Sequence, residues 1–224
     1  MCGRSSLHDA PVSVLEKFSL PPVLPGFEPR YNIAPTQNQW TIALDSEGVP
    51  EAAARRWGLI PSWANDPAIG NRIINARSDS LAEKPAFRDS VRERRCLVIA
   101  DGYYEWTGTG KSRVPVFFHL RGDAAFVMAG LWDRWGKGDS AVETCTVITT
   151  DAGPSAARYH HRMPALLDLD DAARWLDAST PLRDALALLE PFESAELESH
   201  EVSKFVNSPG NDSPECIKPV LRLI

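Results

Sequence analysis

Between residues 39 and 150 the chain is a succession of short runs of strand length, and this alone removes most folds from consideration. The runs Gln39 to Leu44, Ala53 to Leu59, Cys96 to Trp106, Val114 to Leu120, Ala125 to Leu131 and Glu143 to Thr150 are rich in β-branched and aromatic residues and are punctuated by Gly, Asp or Pro. Before them, Val12, Leu15 and Phe18 are spaced as one face of a short helix that stops at Ser19-Leu20-Pro21-Pro22. After them, Asp170 to Ala178 and Pro181 to Leu189 read as helices, with Asp170 or Asp171 and Thr180 as N-caps, and Leu197 to Val202 reads as a last strand. Strands in series, followed by helices rather than alternating with them, predict an α+β fold with a mostly antiparallel, strongly bent, barrel-like sheet flanked by helices. The same order disfavours a doubly wound sheet. There is no Gly-rich phosphate loop and no internal repeat, and Gly136-Lys137-Gly138-Asp139-Ser140 reads as a hairpin loop. A single domain over residues 1–224 is the economical expectation.

The longest uncharged apolar stretch, Ala124 to Trp132, is about half of the roughly 20 residues a membrane helix needs, so no membrane partner is expected. The amino end has no apolar segment of the kind a secretory signal requires, and Cys2 stands where an acylated Gly would be needed. The expected location is cytoplasmic, nucleoid-associated if the chain is bacterial. The four cysteines, Cys2, Cys96, Cys145 and Cys216, lie 94, 49 and 71 residues apart, too dispersed for a zinc knuckle or a paired redox site. No metal or cofactor is expected. Cys96 and Cys145 sit inside apolar runs and read as small buried hydrophobes. Cys2 lies in a terminal segment, which is normally too mobile to join a core.

The net charge of -6 opposes generic nucleic-acid binding, but it is unevenly spread. Residues 1–113 carry 14 basic against 13 acidic side chains, and residues 114–224 carry 10 against 17. The first half therefore has room for a local basic surface, while the acidic excess between Asp168 and Glu201 reads as a solvated face.

Once Met1 is removed, Cys2 presents an α-amine and a thiol on one residue, a 1,2-aminothiol. At ordinary pKa values, on the order of a tenth of the amine is neutral at pH 7 and a few per cent of the thiol is thiolate. An amine condenses with an aldehyde to a Schiff base, and a thiol two atoms away closes a five-membered ring on the imine carbon. The resulting thiazolidine is durable because both bonds must open to release it.

Three more segments accompany Met1-Cys2-Gly3-Arg4: Asn75-Ala76-Arg77-Ser78-Asp79, Asp101-Gly102-Tyr103-Tyr104-Glu105-Trp106 and His160-His161-Arg162-Met163-Pro164. Together they resemble the SOS response-associated peptidase (SRAP) family, abasic-site processing proteins that crosslink to single-stranded DNA. Arg30-Tyr31-Asn32-Ile33-Ala34-Pro35, Trp57-Gly58-Leu59-Ile60-Pro61-Ser62-Trp63, Val202-Ser203 and Asn207 extend the resemblance over nearly the whole chain. It implies an enzyme whose mature Cys2 attacks the ring-opened aldehyde of an abasic site and forms a thiazolidine DNA-protein crosslink, with lyase activity and removal of its own Met1 as further implied activities. Asn75, Glu105 and His160 match the other active-site positions. His161 and Asp79 depart from the family pattern, where an acidic residue and Glu are common, which puts local DNA contacts in doubt and leaves the chemistry intact.

The residue chemistry agrees with that assignment. His160 has a side chain suited to shuttling protons near neutral pH, and Glu105, between Tyr104 and Trp106 in an apolar run, is placed for desolvation to raise its pKa. Asn75 offers an amide to the Cys2 amine or a substrate oxygen. Each also has a purely structural reading: a hydrogen-bonded His, a salt-bridged Glu, an Asn capping a turn. For single-stranded DNA, Arg4, Arg77 and Arg162 are cations beside the three motifs, Trp63 and Pro35 are loop residues suited to exposed bases, and Thr149 completes the expected contact set. Arg55 and Arg56 read as surface charge. The expected partner is single-stranded DNA containing abasic sites, met by a monomer. Two other functions meet the same residues: a thiol peptidase with Cys2 as nucleophile and His160 as base, and a non-covalent single-strand binding module.

Overall fold

The computed structural model describes residues 2–220. In chain order its strands are β1 (Ser5–Leu7), β2 (Arg30–Ile33), β3 (Asn38–Leu44), β4 (Pro50–Trp57), β5 (Asn75–Arg77), β6 (Arg95–Ala100) and β7 (Gly102–Thr107). They continue with β8 (Val114–Leu120), β9 (Phe126–Trp135), β10 (Val142–Asp151), β11 (Arg162–Pro164), β12 (Leu166–Leu167) and β13 (Leu197–Glu201). The helices are short: α1 (Val12–Lys17), α2 (Ser90–Glu93), α3 (Pro154–Ala157), α4 (Leu169–Leu176) and α5 (Leu182–Ala187).

The expected α+β class and bent, barrel-like sheet are what the pairings produce. In an eight-stranded sheet, β10 pairs with β4, β4 with β3, β3 with β6, β6 with β9, and β9 returns to β10. Each of these five strands has two partners in the ring, so the sheet closes and no edge remains along it. The closing pair, β10 with β4, is parallel, and so is β10 with β5; the other pairings are antiparallel. Small residues allow the tight curl. Ala43, Cys96 and Gly130 stand opposite one another on β3, β6 and β9, and a Cβ added to Gly130 would lie 3.0 Å from Cys96 Sγ, Val98 Cγ2 and the Thr146 carbonyl oxygen.

The second sheet, in the order β13-β8-β7-β1-β2, is antiparallel throughout. The run Cys96 to Trp106, expected as one strand, is therefore two strands in two sheets. Asp101 is the hinge between them: its buried carboxylate accepts the Ser6 hydroxyl at 2.6 Å and the backbone N–H groups of His8 and Asp9. Those bonds substitute for ladder bonds at the point where the chain leaves the ring. The next residue must be Gly, since a methyl at Gly102 would fall 2.1 Å from the Phe117 ring.

Two N-cap expectations are corrected. Asp168, not Asp170 or Asp171, caps α4, accepting from the N–H groups of both at 3.0 and 2.8 Å. Pro181, not Thr180, stands at the start of α5, where no side chain supplies a cap bond. Helix α4 buries Ala172, Trp175 and Leu176, and Trp175 Nε1 donates to the Cys96 carbonyl at 3.0 Å, which fastens it over β6. Arg55, expected on the surface, is buried: its guanidinium lies 4.4 Å over the Trp132 ring, donates to Thr41 Oγ1 at 2.7 Å and pairs with Glu143 at 3.0 Å. Neutralisation by Glu143 and the aromatic face make that burial tolerable.

The segment after β13 is clamped to β1 and β2 by polar groups. The buried amide of Asn32 donates to the carbonyls of Val206, Ser208 and Asn211, and Arg4 Nη1 donates to Asn32 Oδ1 at 2.6 Å and to the Val206 carbonyl at 2.7 Å. Val206 and Cys216 then pack on Tyr104 and Phe117. Among the described residues, no helix is long and apolar enough to cross a membrane.

Candidate active site

Alternation along β7 puts Tyr103 and Glu105 on one face of the second sheet and Tyr104 and Trp106 on the other. Strand β1 runs antiparallel to β7 with Ser5 opposite Tyr103, so the residues before it lead Cys2 along β7 toward Glu105, away from the Asp101 hinge. There the ring supplies Asn75. It sits at the start of β5, opposite Val147, and its Nδ2 donates to the Cys2 carbonyl at 2.6 Å. Cys2 is thus fully buried and part of the main core, contrary to the expectation of a mobile terminal residue. The reason is this bond across the two sheets, together with a thiol that donates to the Arg4 carbonyl at 3.7 Å.

Burial changes the electrostatics from those of free groups. Desolvation, and next the charge of Glu105, push the Cys2 thiol up to about 12, so the ordinary few per cent of thiolate does not exist in this environment. Glu105 is itself buried, and loss of water raises its pKa above the usual carboxylate range, with the nearby charge of His161 pulling the other way. His160 follows α3 in the loop that enters β11. Its Nδ1 lies 3.0 Å from both the N–H and the carbonyl oxygen of Arg162, its ring stacks on His161 at 4.4 Å, and burial lowers its pKa. A neutral imidazole whose Nδ1 accepts the Arg162 N–H carries its proton on Nε2. The site thus gathers a shielded thiol, a carboxyl inclined to hold its proton, and an imidazole inclined to lose one, the kinds of group that proton transfer needs.

The six expected DNA contacts occupy two kinds of position. Arg77 is half exposed and forks onto Asp79, with its Nη2 at 2.6 Å from Oδ2. Trp63 is 53% exposed in the loop after β4, its indole N–H reaching the Pro85 carbonyl at 3.3 Å, and Pro35 is partly buried just beyond β2. Arg4, Thr149 and Arg162, by contrast, are buried. The Arg162 guanidinium donates to the Thr149 carbonyl and to Asp151 at 2.9 Å, and Arg4 is committed to Asn32 and Val206. Arg162 thus ties β11 to β10, and Arg4 ties the chain entering β1 to β2 and to the segment after β13.

One feature escaped the sequence reading. Arg4, Trp106, Gly110, Arg113, Lys204 and Asn207 line a cavity of about 440 Å³ that contains three cationic residues and no acidic one. Arg4 lies 5.8 Å over the Trp106 ring, and the Trp106 indole donates to Asn207 Oδ1 at 2.8 Å. Arg113 also adds to the lowering of the His160 pKa, which ties the cavity electrostatically to the Cys2 group. Trp106 and Asn207 were visible as motif residues. Arg113 and Lys204 become neighbours only through the clamp on the C-terminal segment.

Comparison with known proteins places this geometry. The model of the family described as SOS response associated peptidase (SRAP) matches residues 1–209. The abasic site processing protein YoqW of Bacillus subtilis is 38% identical over 223 residues, covering 97% of this chain and 99% of the relative. The abasic site processing protein HMCES of Gallus gallus is 36% identical and covers 87% of this chain and 67% of its own. A crystal structure of a protein from Bacteroides thetaiotaomicron superposes with a TM-score of 0.83 at 28% identity, over 98% of this chain and 100% of the other. With a family match over most of its length and relatives of this similarity, the chain belongs to the SOS response associated peptidase (SRAP) family.

Proposed function

We propose that the protein processes abasic sites in single-stranded DNA by forming a thiazolidine crosslink through Cys2, once Met1 has been removed. The Cys2 α-amine adds to the C1′ aldehyde of the ring-opened sugar to give a carbinolamine, which loses water to an imine. The sulfur then bonds to the imine carbon while the thiol proton passes to the nitrogen, so the adduct is protein plus DNA less one water. Because the buried thiol holds its proton, ring closure needs an acceptor beside it. Glu105 is that acceptor in the outward step, and as a protonated acid it assists sugar opening and loss of water. His160 relays protons at the same centre, and the same pair assists cleavage after Met1.

The observation that carries this reading is the 2.6 Å bond from Asn75 to the Cys2 carbonyl, which fixes the nucleophilic residue beside a buried carboxyl. In a chain related to proteins named for abasic-site processing, that arrangement suits an aldehyde better than a peptide. For DNA, Arg77, Trp63 and Pro35 offer surface contacts; Arg113 and Lys204 add cations in the cavity beside Trp106. Arg4, Arg162 and Thr149 shape the walls from behind. A monomer is the proposed working unit.

Intact mass after mixing verified mature protein with an abasic single-stranded oligonucleotide tests the proposal. The expected product is one covalent adduct lighter than the sum by one water. Peptide turnover without an adduct, or reversible retention alone, would replace this reading with a peptidase or a binding module.

A further inference from the structure

Tyr103 stands on the same face of β7 as Glu105 and packs in the core cluster that holds Cys2. Its ring is fixed: it stacks on Phe118 at 4.7 Å with 6° between the planes, and Phe118 meets Tyr159 edge-on at 5.4 Å. Its hydroxyl is not anchored in the same way. Tyr103 has no exposed surface, and Oη has no hydrogen-bond partner among the described residues. Buried phenols ordinarily find a partner, and a Phe in this position would keep the stacking without the cost of an orphan donor.

The geometry points to Tyr103 as a positioning residue for the nucleophile, its neutral O–H donating to the Cys2 sulfur as that sulfur gives up its proton. This deepens the reading of Cys2 as the reacting residue and rests on it. A developing thiolate beside Glu105 faces a carboxyl that repels it when ionised. The other titratable or charged groups about the sulfur are the α-amine of mature Cys2 itself, His160 and His161 from the loop before β11, and Arg4 from the chain entering β1, whose guanidinium is turned to Asn32. A phenol kept protonated by burial and by the charges of Cys2 and Glu105 gives the sulfur a donor that does not itself ionise. No bond to Tyr103 forms or breaks, and its proton stays on oxygen.

Tyr103→Phe tests this without removing the stacked ring. Alkylation of Cys2 in verified mature protein is followed across pH 7 to 9.5 by mass spectrometry of the N-terminal peptide, with iodoacetamide and with a bulkier maleimide. Below the thiol midpoint the rate follows the thiolate fraction, so the variant's line should lie about tenfold lower at the same slope, equivalent to one pKa unit. The displacement should be equal for the two reagents, and the melting temperature should not fall. Coincident lines, a higher line, or a displacement that depends on reagent size would overturn the assignment. Crosslinking of abasic DNA is measured on the same samples. A displaced alkylation line in a protein that forms no adduct leaves Tyr103 with this role and removes the proposed function; normal adduct formation with coincident lines does the reverse.

Discussion

Two buried thiols in this molecule are alike in exposure and opposite in surroundings. Cys2 and Cys96 have no accessible surface, and desolvation pushes each up to about 12. Cys96 shares its cluster with Ala43, Cys145 and the partly buried Trp132, and stands opposite Gly130 in the ring. Cys2 instead meets the Asn75 amide, and about it lie a buried carboxyl and a phenol without a partner. Burial alone thus gives an inert small hydrophobe. The proposed reactivity of Cys2 calls for polar groups that burial leaves dependent on one another, and the Asn75 bond brings such groups together between β5 and β7.

The largest difference should appear when each sulfur is removed. Cys2→Ser is expected to abolish the heat-stable adduct completely while still allowing some borohydride trapping, because an amine alone forms only a reversible imine. Cys96→Ala is expected to keep the wild-type crosslinking rate and lose about 1 kcal/mol of stability, read by denaturant unfolding. A stable unreduced adduct in Cys2→Ala would break the contrast at its root.

Smaller but graded effects should follow from the polar groups around Cys2. Glu105→Gln and His160→Ala should each slow adduct formation by about 10² to 10⁴ and slow its reversal too, since the same protons travel both ways. Intact mass must first show that Met1 is gone. Glu105 also predicts a stability change of opposite benefit. Its folded pKa lies above the ordinary 4.5, so the native state retains a proton that the unfolded chain has lost, and stability falls as pH rises from 4.5 through the raised value. Glu105→Gln should therefore be more stable than wild type at pH 7 and lose that advantage toward pH 4. Equal stability across this range would mean that the carboxyl is well solvated.

What the sequence disclosed follows from how local each cause is. Val114 to Leu120 is legible with its observed limits because its β-branched and aromatic residues lie between flanking breakers. Cys2 and Glu105 were legible through their chemistry and their motifs. Strand β5 was not, since three residues acquire strand geometry only by pairing with Val147, Ile148 and Thr149, which lie more than seventy residues away. The same holds for Arg55, whose charge looks exposed until Glu143 arrives from a strand nearly ninety residues on, and for Arg162, whose partner Asp151 faces it only once β10 and β11 pair. Tyr103 reads as an ordinary strand aromatic, and only its depth reveals the isolated hydroxyl.

The smallest effect should separate two arginines, one near each kind of thiol. Arg77, at the end of β5 that begins with Asn75, keeps half its side chain in solvent, while Arg55 is sealed beside Trp132. A single phosphate contact contributes about 0.7 to the slope of log affinity against log salt for a single strand. Arg77→Ala should lower that slope by about this amount, weaken intact and abasic strands alike, and leave the melting temperature unchanged. Asp79 tempers the size of the loss, because the fork it makes with Arg77 must be shared or released when a phosphate binds. Arg55→Ala should leave the slope as it was and lower the melting temperature, since it removes a buried cation that Thr41, Glu143 and the partly buried Trp132 ring depend on. Salt titrations of both variants on one oligonucleotide decide the matter. If Arg77→Ala binds normally yet crosslinks poorly, its charge serves the reacting sugar and belongs with Cys2; if Arg55→Ala changes the slope, the DNA path extends to the face of the ring that holds Cys96.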